Sequence, residues 1–184
     1  MEQIRTPRLL LRPPVFEDAA RLSELSSDFD ISRMTSRMPF PNPPDSVRAW
    51  MASLSGGEEL AHVALLNNAP IGVCSHLFRQ GPGVSEIGYW VGKPYWGRGF
   101  ATEMLRALIR SGFEIHGLDR ITIRHFTDNP ASARVIAKCG FVATHRITGQ
   151  SLARGTATES QNYKLSGDQA RAQSWYAAAW YAAE

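Results

Sequence analysis

The stretch that decides the fold is Ile87-Gly88-Tyr89-Trp90-Val91-Gly92-Lys93-Pro94-Tyr95-Trp96-Gly97-Arg98-Gly99-Phe100-Ala101-Thr102-Glu103. Its first five residues have the β-branched and aromatic composition of a strand. Tyr89 and Trp90 point to opposite faces of such a strand, so one is expected in the core and the other in a cleft. From Gly97 onward the period changes, and Ala101, Leu105, Leu108, Ile109 and Phe113 recur at helical spacing. The segment therefore reads as strand, short glycine-containing loop, then long amphipathic helix. The first turn of a helix has unpaired N–H groups and a partial positive charge, which together make an anion site. Gly97 and Gly99 carry no side chain to obstruct a phosphate, and Arg98 adds a charged donor. Taken alone, two such glycines fit equally well a loop that merely needs unusual backbone angles. No Gly-Lys-Ser/Thr follows, which argues against a Walker loop. The incomplete GxGxxG and the strands before it argue against a dinucleotide fold.

On the N-terminal side, residues 60–66, 71–78 and 84–91 are strand-like and separated by Asn67-Asn68 and Gln80-Gly81-Pro82-Gly83, the turn chemistry of an antiparallel meander. Further upstream, residues 8–13 read as a strand stopped by Pro13-Pro14. Residues 15–27 read as a helix with Glu17 and Asp18 in its first turn, where negative charge suits the dipole, although no N-cap side chain is evident. Residues 28–44 are irregular and proline-rich. Asp45 or Ser46 then reads as the N-cap of a helix carrying Val47, Trp50, Met51 and Leu54 and closed by Gly56-Gly57. On the C-terminal side, residues 120–126 alternate as a strand. Asn129-Pro130 starts a helix with a good N-cap and a proline at the first helical position, and Gly140 ends it. Residues 141–147 and 156–165 resume strand character. The order β, α, α, β, β, β, α, β, α, β, β predicts a mixed sheet with helices packed on it rather than an alternating βαβ array.

With 184 residues, an apolar fraction of 43% and a charged fraction of 20%, one globular domain is the expectation, and disordered, collagenous and coiled-coil classes are excluded. A net charge of +3 lacks the basic stripe that nucleic acid requires. Cys74 and Cys139 cannot build a disulfide framework, no apolar run reaches membrane length, and the N-terminus has no signal core. A reduced, cytoplasmic protein with neither membrane nor nucleic-acid partner is expected. His62, His76, His116, His125 and His145 show no ligand spacing, so no metal is assigned.

The helix-opening segment Asp128-Asn129-Pro130-Ala131-Ser132 through Cys139-Gly140-Phe141 completes a pattern. Together with the first stretch it resembles the GNAT superfamily of acyl-CoA-dependent N-acetyltransferases. That family's pyrophosphate loop, Gln/Arg-x-x-Gly-x-Gly/Ala, corresponds here to Trp96-x-x-Gly99-x-Ala101, with Trp in the first place. Gly88-Tyr89-Trp90-Val91, the opening Thr6-Pro7-Arg8-Leu9-Leu10-Leu11-Arg12-Pro13 and Glu17-Asp18-Ala19 are similar to the RimJ/RimL-type branch, which acetylates protein N-termini and some small amines. The resemblance covers residues 5–165. It implies an α/β (α+β) GNAT fold: a mixed, mostly antiparallel, twisted sheet with a splayed central strand pair flanked by helices. A domain over residues 1–166 would be followed by an Ala- and aromatic-rich helical tail over residues 167–184, bearing Trp175, Tyr176, Trp180 and Tyr181. That tail would pack on the domain or mediate a homodimer.

The resemblance also implies a cosubstrate, acetyl-CoA, and a division of labour. Tyr89, Trp90 and Val91 on the splayed strand would hold the pantetheine arm and offer an N–H to the thioester carbonyl, where charge grows in the transition state. Trp96, Gly97, Arg98, Gly99, Phe100, Ala101 and Thr102 would hold the pyrophosphate. Asn129 would lie near the thiol, and Ser132 would donate to the departing thiolate. Many family members carry a tyrosine acid late in the second helix, where this chain has Val135-Ile136-Ala137. Glu86 would face the amine and take its proton. Asn129 is equally a sufficient N-cap, Ser132 an ordinary first-turn serine, and Glu86 a strand-end carboxylate. The acceptor the resemblance implies would be a primary amine: a protein or peptide N-terminus, or a small molecule such as an antibiotic or amino-acid-containing toxin. A CoA-binding sensor without turnover is the remaining alternative.

Overall fold

The computed structural model describes residues 3–177 and the backbone of residues 181–183. In chain order its elements are β1 (Gln3–Arg5), β2 (Leu10–Arg12), α1 (Asp18–Ser26), α2 (Phe29–Ser32), α3 (Pro44–Ser53), β3 (Glu59–Leu66), β4 (Ala69–Leu77), β5 (Val84–Val91), α4 (Phe100–Glu114), β6 (Arg120–Phe126), α5 (Pro130–Lys138), β7 (Val142–Ser151), β8 (Thr156–Ser166), α6 (Gly167–Arg171) and β9 (Tyr181–Ala183). The strands form one sheet in the order β7-β8-β6-β5-β4-β3-β2-β1-β9. β5 and β6 run parallel, and the other neighbours are antiparallel. A parallel neighbour needs a crossover, and α4 supplies it.

β5 and β6 pair only at Val84 with Arg120, Ser85 with Ile121 and Glu86 with Thr122. Beyond those residues β5 runs on to Val91 and β6 to Phe126 unpaired with each other. The sheet thus splits into a wedge beside the C-terminal half of β5, the splayed pair that the resemblance implied.

Both faces of the sheet are covered, which is why β4 reads as a continuous buried run rather than an alternating one. On one face α4 and α5 lie over Ile71, Ile87, Val91, Ile121 and Ile123. α4 buries Phe100, Met104, Leu105, Leu108 and Ile109, the large side chains each worth about 1.5–3 kcal/mol of hydrophobic stabilisation. On the other face Ala19 and Leu22 of α1 and Val47 of α3 cover Val63, Leu65 and Val73.

Several elements differ from the expectation. Gln3–Arg5 adds a first strand, too short to show a pattern. The irregular stretch from residue 28 begins with α2, capped by the Asp28 side chain, which accepts from the Asp30 N–H. α3 begins at Pro44, so Asp45 and Ser46 lie inside it rather than capping it. A proline at the first position has no N–H to satisfy, and the chain enters the helix from Pro43. Among the described residues the tail is helical only over Gly167–Arg171, where Ser166 and Gln169 form a capping box. It then turns, and Tyr176 packs into the core beneath α4 with its hydroxyl donating to Glu114 at 2.7 Å. The backbone of Tyr181–Ala183 pairs with β1 as an edge strand. The aromatic stripe expected on a helix is therefore broken after Tyr176, and Trp180 lies outside the described residues.

Candidate functional site

The wedge between β5 and β6 opens into a cleft of about 1170 Å³, roomier than the ~300–1000 Å³ of typical small-molecule sites. Its walls come from β5, β6, the start of α4, the start of α5 and the 30–50 segment. Strand hydrogen bonding explains what β5 presents to it. Gly92 N–H donates to Ile71 O on the β4 side at 2.8 Å. Backbone groups alternate sides along a strand, so those of Ile87, Tyr89 and Val91 point the other way, into the wedge. Val91 O is taken by the Trp96 indole N–H at 2.6 Å. Trp96, the residue that departs from the family loop pattern, thus ties the loop to the strand. The Tyr89 and Val91 N–H groups face the cleft. Tyr89 and Trp90 both line it from opposite faces of β5, Trp90 packing toward α1 and α3 and Tyr89 toward α4.

At the N-terminus of α4 the chain passes through Gly97 at φ 74° and Gly99 at φ 81°, left-handed conformations that side chains strain to adopt. Gly99 is the N-cap and no side chain caps this helix, so the N–H groups of its first turn remain available for an anion. Gly97, Gly99, Phe100, Ala101 and Thr102 line the cleft. The Arg98 side chain does not, and its guanidinium lies 5.0 Å over the Phe100 ring. The opening Thr6-Pro7-Arg8 motif supports this turn from outside. Glu103 accepts from Thr6 Oγ1 at 2.6 Å, from Arg8 N at 2.9 Å and from Arg8 Nε at 2.6 Å, while Arg8 Nη1 donates to Arg98 O at 2.8 Å. No local pattern announces this brace, because its halves are some ninety residues apart.

At the N-terminus of α5 the Asn129 side chain accepts from Ser132 N–H at 3.0 Å, so it serves as the cap. Ser132 Oγ lies 2.9 Å from Tyr89 Oη on β5. Burial pushes the Tyr89 phenol up to about 12, against a smaller opposing effect of that hydrogen bond. Val135 also lines the cleft, an aliphatic side chain in the part of α5 where the resemblance would place a tyrosine acid.

Glu86 reaches the cleft on the Trp90 face. It is half-buried rather than a free strand-end carboxylate: Arg124 Nε lies 3.1 Å from Oε1, and Gln80 Nε2 donates to Oε2 at 3.3 Å. The same holds for every carboxylate lining the cleft among the described residues. Glu59 pairs with Arg37, Asp30 with Lys93 and Asp128 with Arg154. The lysine and arginine ion pairs hold the Asp30 and Asp128 carboxyls below the usual range. The tip of the β7–β8 hairpin closes this end. Leu152 N–H donates to Ser36 O at 3.1 Å, and Arg154 Nε to Arg33 O at 2.5 Å.

Among the described residues no cluster of three His, Cys, Asp or Glu could hold a metal ion. Both cysteines are free and buried, and burial pushes each thiol up to about 12, so neither is a nucleophile. No helix among the described residues is long and apolar enough to cross a membrane.

Residues 8–142 match the model of the acetyltransferase (GNAT) domain, and the chain belongs to that family. It is 28% identical over 171 residues to the N-acetyltransferase p20 of Bacillus licheniformis, covering 90% of this chain and 96% of that protein. Among solved structures, RimJ of Mycobacterium smegmatis, in complex with CoA-disulfide, shares the fold with a TM-score of 0.80 at 21% identity, over 91% of this chain and 87% of that one. RimL, the ribosomal L7/L12 α-N-protein acetyltransferase, solved with coenzyme A, superposes with a TM-score of 0.77 at 18% identity, over 89% and 97%.

Proposed function

We propose that the chain transfers an acetyl group from acetyl-CoA directly to a primary amine, with the N-terminus of a protein or peptide as acceptor. The observation that carries the reading is the continuity of one cleft from the uncapped first turn of α4, past the outward-facing backbone of β5, to the Tyr89–Ser132 pair. The pyrophosphate would bind the amides of Gly99 to Thr102, and the pantetheine would lie along Tyr89 to Val91. The thioester oxygen would accept from a β5 N–H, which is fixed in place before charge develops. Ser132 would donate to the sulfur as the C–S bond breaks. The solved RimJ and RimL, with coenzyme A species bound, support the cosubstrate.

The choice of an N-terminal amine rests on the carboxylates. A lysine ammonium near 10.4 needs a strong base to become a nucleophile, whereas an α-ammonium near 8 is already partly free at neutral pH. The four carboxylates lining the cleft among the described residues are all engaged by arginine or lysine, so the site is better furnished to orient an amine than to deprotonate a reluctant one. Glu86 with Arg124 is the pair placed to do so, and the name of RimL describes such an acceptor.

The test is release of CoA thiol from acetyl-CoA over a panel of peptides with free N-termini and small primary amines, with the acetylated atom located by mass spectrometry. Turnover on peptide N-termini is the expected result. Turnover on small amines alone would move the acceptor class and keep the chemistry. Absence of any turnover together with tight acetyl-CoA binding would leave a sensor.

A further inference from the structure

We propose that Tyr89 is a positioning residue for the leaving group: it donates its hydroxyl hydrogen to Ser132 Oγ and so turns the serine's own hydrogen toward the sulfur of bound coenzyme A. The inference rests on the acetyl transfer proposed above. It starts from one contact, Tyr89 Oη to Ser132 Oγ at 2.9 Å, made between β5 and the first turn of α5, the two elements that flank the wedge. Either hydroxyl could donate geometrically. A phenol is far the stronger acid and an alkyl hydroxyl the better acceptor, so the favourable sense runs from Tyr89 to Ser132. A serine has one hydrogen. With Oγ accepting from Tyr89, that hydrogen is released to point elsewhere, and Ser132 lines the cleft. The Ser132 backbone is fixed as well, because its N–H is held by Asn129 Oδ1 at 3.0 Å. A hydroxyl that accepts one strong hydrogen bond is polarised into a better donor for the next.

The step balances without any proton leaving Tyr89. The amine nitrogen attacks the acetyl carbon and the N–C bond forms. The C–S bond then breaks with its electron pair on sulfur, and Ser132 Oγ–H stabilises that thiolate by a hydrogen bond. The proton lost by the amine reaches solvent, which returns one to the sulfur. Burial holds the phenol protonated throughout the working range, so Tyr89 remains a donor in every turnover. The tyrosine hydroxyl absent from Val135-Ile136-Ala137 is in this way supplied from β5, through a serine.

Tyr89→Phe removes the hydroxyl and keeps the ring. We expect kcat to fall about tenfold, with the KM for acetyl-CoA changed less than about twofold, the pattern of an interaction expressed in the transition state. Ser132→Ala should fall at least as far. In the Ser132→Ala background, Tyr89→Phe should cost less than about twofold, since its effect passes through the serine. A second readout needs no acceptor: the thiol of bound CoA, titrated by the ultraviolet absorbance of its thiolate, should ionise at lower pH in the wild type than in Tyr89→Phe. Equal thiol titration in the two proteins, or the same kcat penalty with and without Ser132, would overturn the proposal while leaving the acetyltransferase reading intact. Failure of the wild-type chain to bind CoA at all would remove both. A raised KM with unchanged kcat would reduce Tyr89 to a packing residue.

Discussion

The two helices that begin at the cleft start in opposite ways. α5 satisfies its own first turn: Asn129 caps it and Pro130 needs no partner. α4 begins at a glycine in the left-handed region, without a side-chain cap for its first-turn donors. The difference shows where this fold leaves hydrogen-bonding capacity unspent. The open turn is braced from outside by Arg8 and Glu103, while the closed turn holds Ser132, the serine proposed to meet the sulfur, by its backbone N–H. A helix start that is to bind an anion and one that is to hold a side chain rigid need opposite capping, and the capping of α4 and α5 differs in that sense.

The contrast is most sharply broken at Gly99. Gly99→Val forces a β-branched residue to φ near 81°, which costs about 1–2 kcal/mol and displaces the amides. Acetyl-CoA affinity measured by calorimetry should fall at least ~10-fold. In the wild type, acetyl-CoA at 100 times its dissociation constant should add about 2.7 kcal/mol of stability, and the variant should lose about half of that or more at the same concentration.

Acid should attack α4 from below. His76 is buried with its Nε2 3.0 Å from Leu108 O and its Nδ1 2.8 Å from Ser85 Oγ, and burial lowers its pKa to about 3. The unfolded chain takes up this proton near 6.5, whereas the native state takes it up only near 3. The His76 contribution is therefore complete above about pH 6.5 and is lost as pH falls toward 3, at about 1.4 kcal/mol per pH unit. Proton NMR of the His76 ring should show no titration above pH 4, and a midpoint near 6 would refute this.

At α5, Asn129→Ala should cost about 1 kcal/mol in urea denaturation through the lost cap, with Asn129→Asp close to wild type. Acetyl-CoA affinity should change less than twofold, and a larger loss of affinity than of stability would make Asn129 a cofactor contact instead. The smallest effect belongs to the brace. Arg8→Ala should weaken acetyl-CoA binding by no more than ~5-fold, the reach of a half-exposed ion pair, with kcat unchanged.

The glycine turn and the strand before it were legible because both are written in consecutive residues, where periodicity and missing side chains speak directly. α5 was legible for the same reason, through Asn129-Pro130. Long-range pairings left no such trace. Tyr89 meets Ser132 across 43 positions, and Glu86 turns out to be tied to Arg124 because a parallel crossover brings the two strands together. Nor does any local pattern bring Arg154 to the carbonyl of Arg33. α2 has no signature because four residues are too few to show a period, and α3 starts one residue before its Asp45 because a proline entry needs no side-chain cap.

The hairpin tip at Leu152 to Arg154 has a further consequence for how such a protein can diverge. It is fastened to the carbonyls of Ser36 and Arg33, and to Asp128, by contacts that touch neither the glycine turn nor β5. On the proposed reading, lengthening or shortening that one turn would redraw this end of the cleft while the glycine turn of α4 and the β5 backbone stayed in place. Variation in substrate range can therefore accumulate at a single exposed bend, and a library of loop lengths between β7 and β8 is the natural starting point for redirecting the chain to other amines.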